Sequence, residues 1–297
     1  MEHNQAPRMH ILLPLDGSDM SEFALPYATT VATALNAGIV VARVIVRTSW
    51  HSASSGYMLA PHIYTDLMEQ EKQDAHAQTK RVVTRVGGQG AQARALVEIA
   101  DSPMALAEVA ARERVSLVVM ATHGRSGMTR MALGSVADDL VRHGHWPTLL
   151  TRAQGLLPEQ PALSHALVPL DGSTFSEASI PVVALLAGSL VTQITLLRVI
   201  DTEEHNGAAD EARHALESTR QRIEWEMPAL RGHVNAVLRW GGAAEQILEA
   251  SGGYHLIVMA THGETGATRW AFGSVADAVL HEARTPLLLA RPPQHHD

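Results

Sequence analysis

The chain has no cysteine. Disulfides, thiolate nucleophiles and cysteine-ligated metals are therefore excluded, and the composition suits a reducing compartment. Positive charge is also in short supply. Lys and Arg number 23 against 31 Asp and Glu, a net charge of −8, so a large nucleic-acid footprint is not expected. The first ten residues, "MEHNQAPRMH", carry no apolar core and no cleavage pattern, and no signal peptide is expected from them. The most apolar stretch, "IPVVALLAGSLVTQITLLRVI" (Ile180 to Ile200), is broken by Gly188 and Ser189. It reads as a helix, a turn and a buried strand and not as a membrane span. A cytoplasmic protein with no membrane and no nucleic-acid partner is the expectation.

Catalytic and nucleotide signatures are missing too. There is no G-x-x-x-x-G-K-[ST], no G-x-G-x-x-G after a strand, no H-E-x-x-H and no G-x-S-x-G. The 17 histidines include "HGH" at His143 to His145 and the tail pair His295 and His296. Neither of these groups has partners at metal-ligand spacing, so they read as surface residues.

What the chain does have is a duplication. "ILLPLDGSDMSEFALPYA" (Ile11 to Ala28) matches "ALVPLDGSTFSEASIPVV" (Ala166 to Val183), with Asp16 and Asp171 spaced by 155 residues. "MATHGRSGMTRMALGSVAD" (Met120 to Asp138) matches "MATHGETGATRWAFGSVAD" (Met259 to Asp277), now spaced by 139. The first half thus carries about sixteen more residues, near "RTSWHSASSGYMLAPHIYTD", which reads as an enlarged Ser- and Gly-rich loop. A chain of 297 residues with two copies at this period is expected to form two domains. Their expected limits are 1–152 and 166–292, with a linker at 153–165 and a disordered tail at 293–297.

Within each half, strands and helices alternate. In the first, "HILLPL", "GIVVARVIV", "AQARALVEI", "VSLVVM" and "PTLLTR" read as strands. "SEFALPYATTVATALNA", "LMEQEKQDAHAQTKRVV", "SPMALAEVAARE" and "GSVADDLVRHG" read as helices, the third capped by Asp101. This order predicts an α/β protein: two tandem open sheets of five mostly parallel strands with helices on both faces.

In such a sheet, ligands sit at the carboxyl ends of the strands beside the switch point. Both repeated blocks fall there. "PLDGS" ends the first strand and "ATHG" the fourth. Nine residues separate Gly124 from Gly134, and nine separate Gly263 from Gly273. Gly134 with Ser135, and Gly273 with Ser274, then open a helix. Unpaired N–H groups and a partial positive charge at that end make an anion cradle, to which Arg130 and Arg269 could add charge. The plainer reading of the same residues is a strand end, a cap and a solvated Arg. Asp16 and Asp171 are either turn carboxylates, since Asp-Gly is a strong turn signal, or ligand contacts. His123 and His262 either touch phosphate or bond locally, and the local role is preferred.

These residues resemble the universal stress protein family. Its nucleotide-binding members carry G-x2-G-x9-G-[ST] after the fourth strand. Here the positions are Ala121, Gly124, Gly134 and Ser135, then Ala260, Gly263, Gly273 and Ser274. With "PLDGS" and the element order, the resemblance covers nearly the whole chain and marks a tandem, two-domain member. It implies a Rossmann-like fold related to the adenine nucleotide hydrolases, whose last strand often pairs across a dimer. The tandem chain would then resemble a dimer fused into one polypeptide.

The resemblance also implies ATP, or AMP or ADP, as ligand. The nucleotide would lie against Pro14 and Asp16 in the first half and Pro169 and Asp171 in the second. Its base would rest near Val44 and Val199. Its phosphates would meet Ala121, His123, Gly124, Arg130, Gly134, Ser135 and Val136, and Ala260, His262, Gly263, Arg269, Gly273, Ser274 and Val275. Mg²⁺ carried with ATP would meet Asp16 and Asp171.

The departure from the motif is Ala for the first Gly in both halves. At a position requiring positive φ, Ala is strained by roughly 1 kcal/mol or more; at an ordinary φ the change is nearly harmless. The halves differ in one charge, with Arg125 where the second half has Glu264, which predicts weaker ATP binding in the second half. The expected function is a nucleotide-dependent sensor or regulator in stress response, partnered by a further copy or another protein. It is not expected to be an enzyme, beyond slow ATP hydrolysis. The alternatives are a nucleotide-free interaction scaffold and an ATP-cleaving or adenylyl-transferring enzyme. The latter needs an added catalytic motif, which the enlarged loop lacks.

Overall fold

A computed structural model describes residues 9–47, 61–102, 104–122, 140–141, 144–152, 158–201, 207–261 and 272–291. These part into two compact units. Both are α/β, with mostly parallel strands joined by helical crossovers.

Unit 1 contains β1 (His10–Leu15), α1 (Leu25–Leu35), β2 (Gly38–Val46), α2 (Pro61–Gly88), β3 (Ala93–Ala100), α3 (Ala105–Arg112) and β4 (Val115–Thr122). Its strand order is β3-β2-β1-β4, all parallel. Apart from Arg43, β2 is an apolar run that suits a central strand covered on both faces, and eight of its nine residues are buried. Ile11, Leu12, Leu13, Val40 and Val118 are fully enclosed and form the middle of the core. A 3₁₀ turn (Asp19–Ala24) precedes α1 and is capped by Ser18, whose side chain accepts the Ser21 N–H. Pro26 lies in the first turn of α1, where its missing N–H has no intrahelical partner to lose. Asn36 ends the helix in the left-handed region, at φ 49°.

The helix over "LMEQEKQDAHAQTKRVV" extends further at both ends, as α2. Asp101 does not cap α3. Its carboxylate takes the Arg47 guanidinium at 2.9 Å instead, while the Ser102 hydroxyl accepts the Met104 N–H at 3.1 Å. The helix begins four residues beyond Asp101, so the local N-cap signal lost to an ion pair with the end of β2. The helix expected at "GSVADDLVRHG" lies mostly outside the described residues.

Unit 2 contains β5 (Thr148–Arg152), β6 (His165–Pro169), α4 (Ser179–Ala184), β7 (Gln193–Ile200), α5 (Ala208–Glu226), β8 (Val234–Trp240), α6 (Ala243–Ser251), β9 (Leu256–Ala260), α7 (Ser274–Glu282) and β10 (Leu287–Ala290). The order is β5-β10-β9-β6-β7-β8. Every pair is parallel except β5 with β10, where Leu150 opposes Leu287. By sequence β5 closes the first repeat, yet in space it belongs to unit 2. Antiparallel pairing of the two closing strands covers an edge that β10 would otherwise expose. Arg152 adds a bond from Nη2 to the His281 carbonyl at 2.7 Å.

The apolar stretch at Ile180 to Ile200 resolves as most of α4, a turn at Gly188 (φ 77°) and β7. No helix among the described residues is long and apolar enough to cross a membrane. In each unit the chain runs outward through three strands and then returns to the other side of the first. The reversal points lie between β1 and β4, and between β6 and β9, and their carboxyl ends form the crevice where open α/β sheets hold ligands.

Candidate functional site

The first wall of that crevice is the turn after the opening strand. Asp16 Oδ1 accepts the Ser18 N–H at 2.9 Å and the Ser18 hydroxyl at 2.6 Å. Asp171 Oδ1 makes the same two bonds to Ser173, at 2.9 and 2.6 Å. The identical geometry shows a built turn, in which one oxygen of each Asp organises the loop. Gly17 and Gly172 hold φ of 92° and 83°, a region L side chains rarely adopt. A Cβ on Gly17 would also stand 2.6 Å from Arg43 Nη2. Glycine is thus required there both for conformation and for room.

In unit 2 the crevice is a cleft of about 270 Å³. Its floor is the end of the sheet, with Pro169, Leu197, Val199, Met259 and Ala260. Asp171 and Ser176 stand on one side, Ala243 and Ile247 of α6 on another, and the Gly273–Ala276 start of α7 closes it. Pleat alternation explains the selection: Leu197 and Val199 share a face and Arg198 takes the opposite one. Gly273 is the N-cap of α7, at φ −61° and ψ 151°, and no side chain caps the helix. Its own N–H donates to the Thr261 carbonyl at 3.0 Å, and its carbonyl accepts the Asp277 N–H at 2.9 Å. The first-turn N–H groups that follow are left for whatever enters the cleft.

All the expected second-half residues that are described line this cleft: Pro169, Asp171, Val199, Ala260, Gly273, Ser274 and Val275. His262, Gly263, Arg269 and the Glu264 difference lie outside the described residues. In the first half, Pro14 is buried in β1, Asp16 is exposed in the turn, Val44 is half-buried in β2 and Ala121 is buried in β4. Val44 and Val199 are both half-buried, each within a strand that is mostly buried. His123, Gly124, Arg125, Arg130, Gly134, Ser135 and Val136 lie outside the described residues.

The Ala substitutions meet no backbone strain. Ala121 and Ala260 lie in β4 and β9, and the non-glycine residues at positive φ among those described are Asn36 and Arg114. For Ala260 the remaining effect is one methyl group at the cleft wall. Sequence reasoning did not find Ala243 and Ile247. The available signal was "WGGAAEQ": Gly241 turns at φ 126°, Gly242 caps α6, and a small residue then opens the helix beside the crevice. Among the described residues, no group of three or more His, Asp or Glu is placed to hold a metal ion.

Comparison with known proteins agrees with this architecture. The model of the universal stress protein family matches residues 7–152 and again 163–291. A universal stress protein of Mycobacterium tuberculosis is 25% identical over 290 residues, spanning 95% of this chain and 96% of that one. A universal stress protein structure from Archaeoglobus fulgidus superposes with a TM-score of 0.72 at 19% identity, covering 96% of this chain and 97% of that one. A shorter universal stress protein, solved in complex with cAMP, spans 50% of this chain and all of its own length at 22% identity, with a TM-score of 0.36. The chain belongs to the universal stress protein family and carries its domain twice in tandem.

Proposed function

We propose that this protein binds an adenine nucleotide, ATP first among them, and acts as a nucleotide-dependent regulator in stress response. The observation that carries the reading is the two-part character of the unit 2 cleft. Leu197, Val199 and Ile247 offer an apolar bed for a base. The uncapped start of α7 offers N–H groups and a helix dipole to phosphates. The repeat extends the reading to the first half, where Asp16, Val44 and Ala121 take the corresponding places. Asp171 is a single carboxylate with one oxygen engaged in its turn. Any Mg²⁺ beside it would draw most of its oxygen ligands from phosphate and water.

Regulation would follow if nucleotide favours one of two conformations by differential affinity. We propose no turnover beyond slow ATP hydrolysis. The test is to release small molecules from gently purified protein and identify them by mass spectrometry, then titrate ATP. Recovery of ATP, ADP or AMP, or saturable ATP binding, is the expected result. Gly273 already sits at an extended φ and ψ, so Gly273→Val leaves the backbone unstrained while its side chain fills the cradle. Unchanged ATP affinity in the folded Gly134→Val/Gly273→Val double variant would sink the assignment.

One observation favours a second reading, a nucleotide-free scaffold. The Ala260 methyl lines the cleft where nucleotide-binding relatives carry Gly. Protein that is purified empty and ignores added ATP would establish that reading. Rapid ATP turnover with a second substrate would establish an enzyme.

A further inference from the structure

Unit 2 has a second cavity on the opposite face of its sheet, of about 380 Å³. It lies between β7 and α5 and is lined by Arg198, Glu211, Ala212, Ala215 and Thr219, with the Asp171–Ser173 turn at one end. Arg198 Nε and Nη1 are shielded from solvent and have no hydrogen-bond partner. A guanidinium left so incompletely paired is unusual, because buried polar groups are nearly always bonded.

Unit 1 shows what this guanidinium is built to hold. Arg43 occupies the place of Arg198, one residue before the half-buried valine. It donates from Nη1 to the Gln78 side-chain oxygen at 3.0 Å and from Nη2 to the Glu71 carboxylate. The buried faces of the helices set the correspondence: Ala75 and Val82 of α2 stand where Leu216 and Ile223 stand in α5. In that register Glu71 becomes Ala212, and Gln78 becomes Thr219. The cavity occupies the space left by the missing carboxylate and carboxamide. At its mouth, Glu211 is exposed, while Glu177 is paired with Arg222 at 2.8 Å.

We propose that this cavity is a ligand site for a small free amino acid, whose carboxylate takes the role on Arg198 that Glu71 plays on Arg43. A rotation of the Arg198 side chain would present one N–H edge, Nε with Nη2 or Nη1 with Nη2, to the carboxylate in a bidentate pairing. Glu211 and the Asp171 turn give the ammonium group a negative surround. That surround disfavours a bare dianion such as phosphate. The site is separate from the nucleotide cleft, with which it shares the turn at Leu170 and Asp171.

The test uses the full chain and saturation-transfer NMR, with L-alanine and L-glutamine as probes, L-alaninamide as control and inorganic phosphate as competitor. Both amino acids should bind, L-alaninamide should not, and phosphate should not displace the amino acids. Arg198→Met should weaken binding at least tenfold. Ala212→Glu should abolish it by supplying the carboxylate from within. The urea midpoint of each variant verifies that it is folded. Absence of binding at tens of millimolar, equal binding of L-alaninamide, displacement of the amino acids by phosphate, or unchanged binding in Arg198→Met would each overturn the proposal.

Discussion

Arg43 and Arg198 are equivalent in sequence and opposite in circumstance. Each lies near the end of the second strand of its repeat and supports a turn whose glycine has positive φ. The Arg43 side chain is only 9% exposed and is bonded by Glu71 and Gln78, so unit 1 closes over it. Arg198 keeps its place under Gly172, yet α5 brings Ala212 and Thr219 to it and a cavity results. A duplicated fold therefore preserved the charge and let its partners diverge. The inward face of a crossover helix can change while strand and turn stay fixed, because the apolar positions Leu216 and Ile223 suffice to dock it.

Arg43→Met should be the most damaging change, since it strands a carboxylate and an amide. A loss of about 3 kcal/mol is expected, read as a lower urea midpoint for the first transition of the full chain. Arg198→Met should cost about 1 kcal/mol or less in the absence of ligand, having no bonds at Nε or Nη1 to lose. Equal losses would erase the contrast. Rebuilding the cluster sharpens it: Ala212→Glu with Thr219→Gln should raise the stability of unit 2 by about 1–2 kcal/mol, through a hydrogen-bonded ion pair.

The two nucleotide positions can be compared in the same chain. Gly134→Val leaves the second site and Gly273→Val leaves the first. The remaining ATP affinity should be higher in Gly273→Val, by about threefold or more, if the charge change at Arg125 and Glu264 acts as proposed. Calorimetry would read it, and reversed affinities would refute it. Ala260→Gly should alter ATP affinity by no more than about threefold, because β9 needs no positive φ there.

The smallest effect concerns His165. Burial first, and His255 second, push its imidazole below the ordinary 6.5. Its ring packs on Tyr254 at 4.5 Å and its Nε2 lies 3.2 Å from Thr195 Oγ1. The unfolded chain binds the proton more readily, so this contribution is full above pH 6.5 and is lost as the pH falls through the lowered value. His165→Asn should flatten the stability profile of unit 2 just below pH 6.5. A slope identical to that of the parent chain would remove His165 from the account.

Much of the second-half cleft was legible because its residues are tied to strand ends and a helix start, which local pattern reveals. "PLDGS" marks a turn and "GSVAD" marks a helix N-terminus whatever lies around them. Ala243 and Ile247 were not legible, since they enter the site only through the packing of α6. Asp101 misled for the same reason: an N-cap signal is local, and Arg47 reached it from just beyond β2. The roles expected of His123, Arg130, His262 and Arg269 rest on the repeat alone.

By itself the sequence determined the alternation of strand and helix, the tandem repeat, and the placing of Asp, Val and Gly-Ser at carboxyl ends. Those follow from periodicity and turn chemistry, which act over a few residues. Only the tertiary structure decided that β5 pairs with β10, that Ala121 and Ala260 are unstrained, and that Arg198 faces a cavity where Arg43 faces a carboxylate. These depend on which distant segments meet, and contact across the fold is not written in any local pattern.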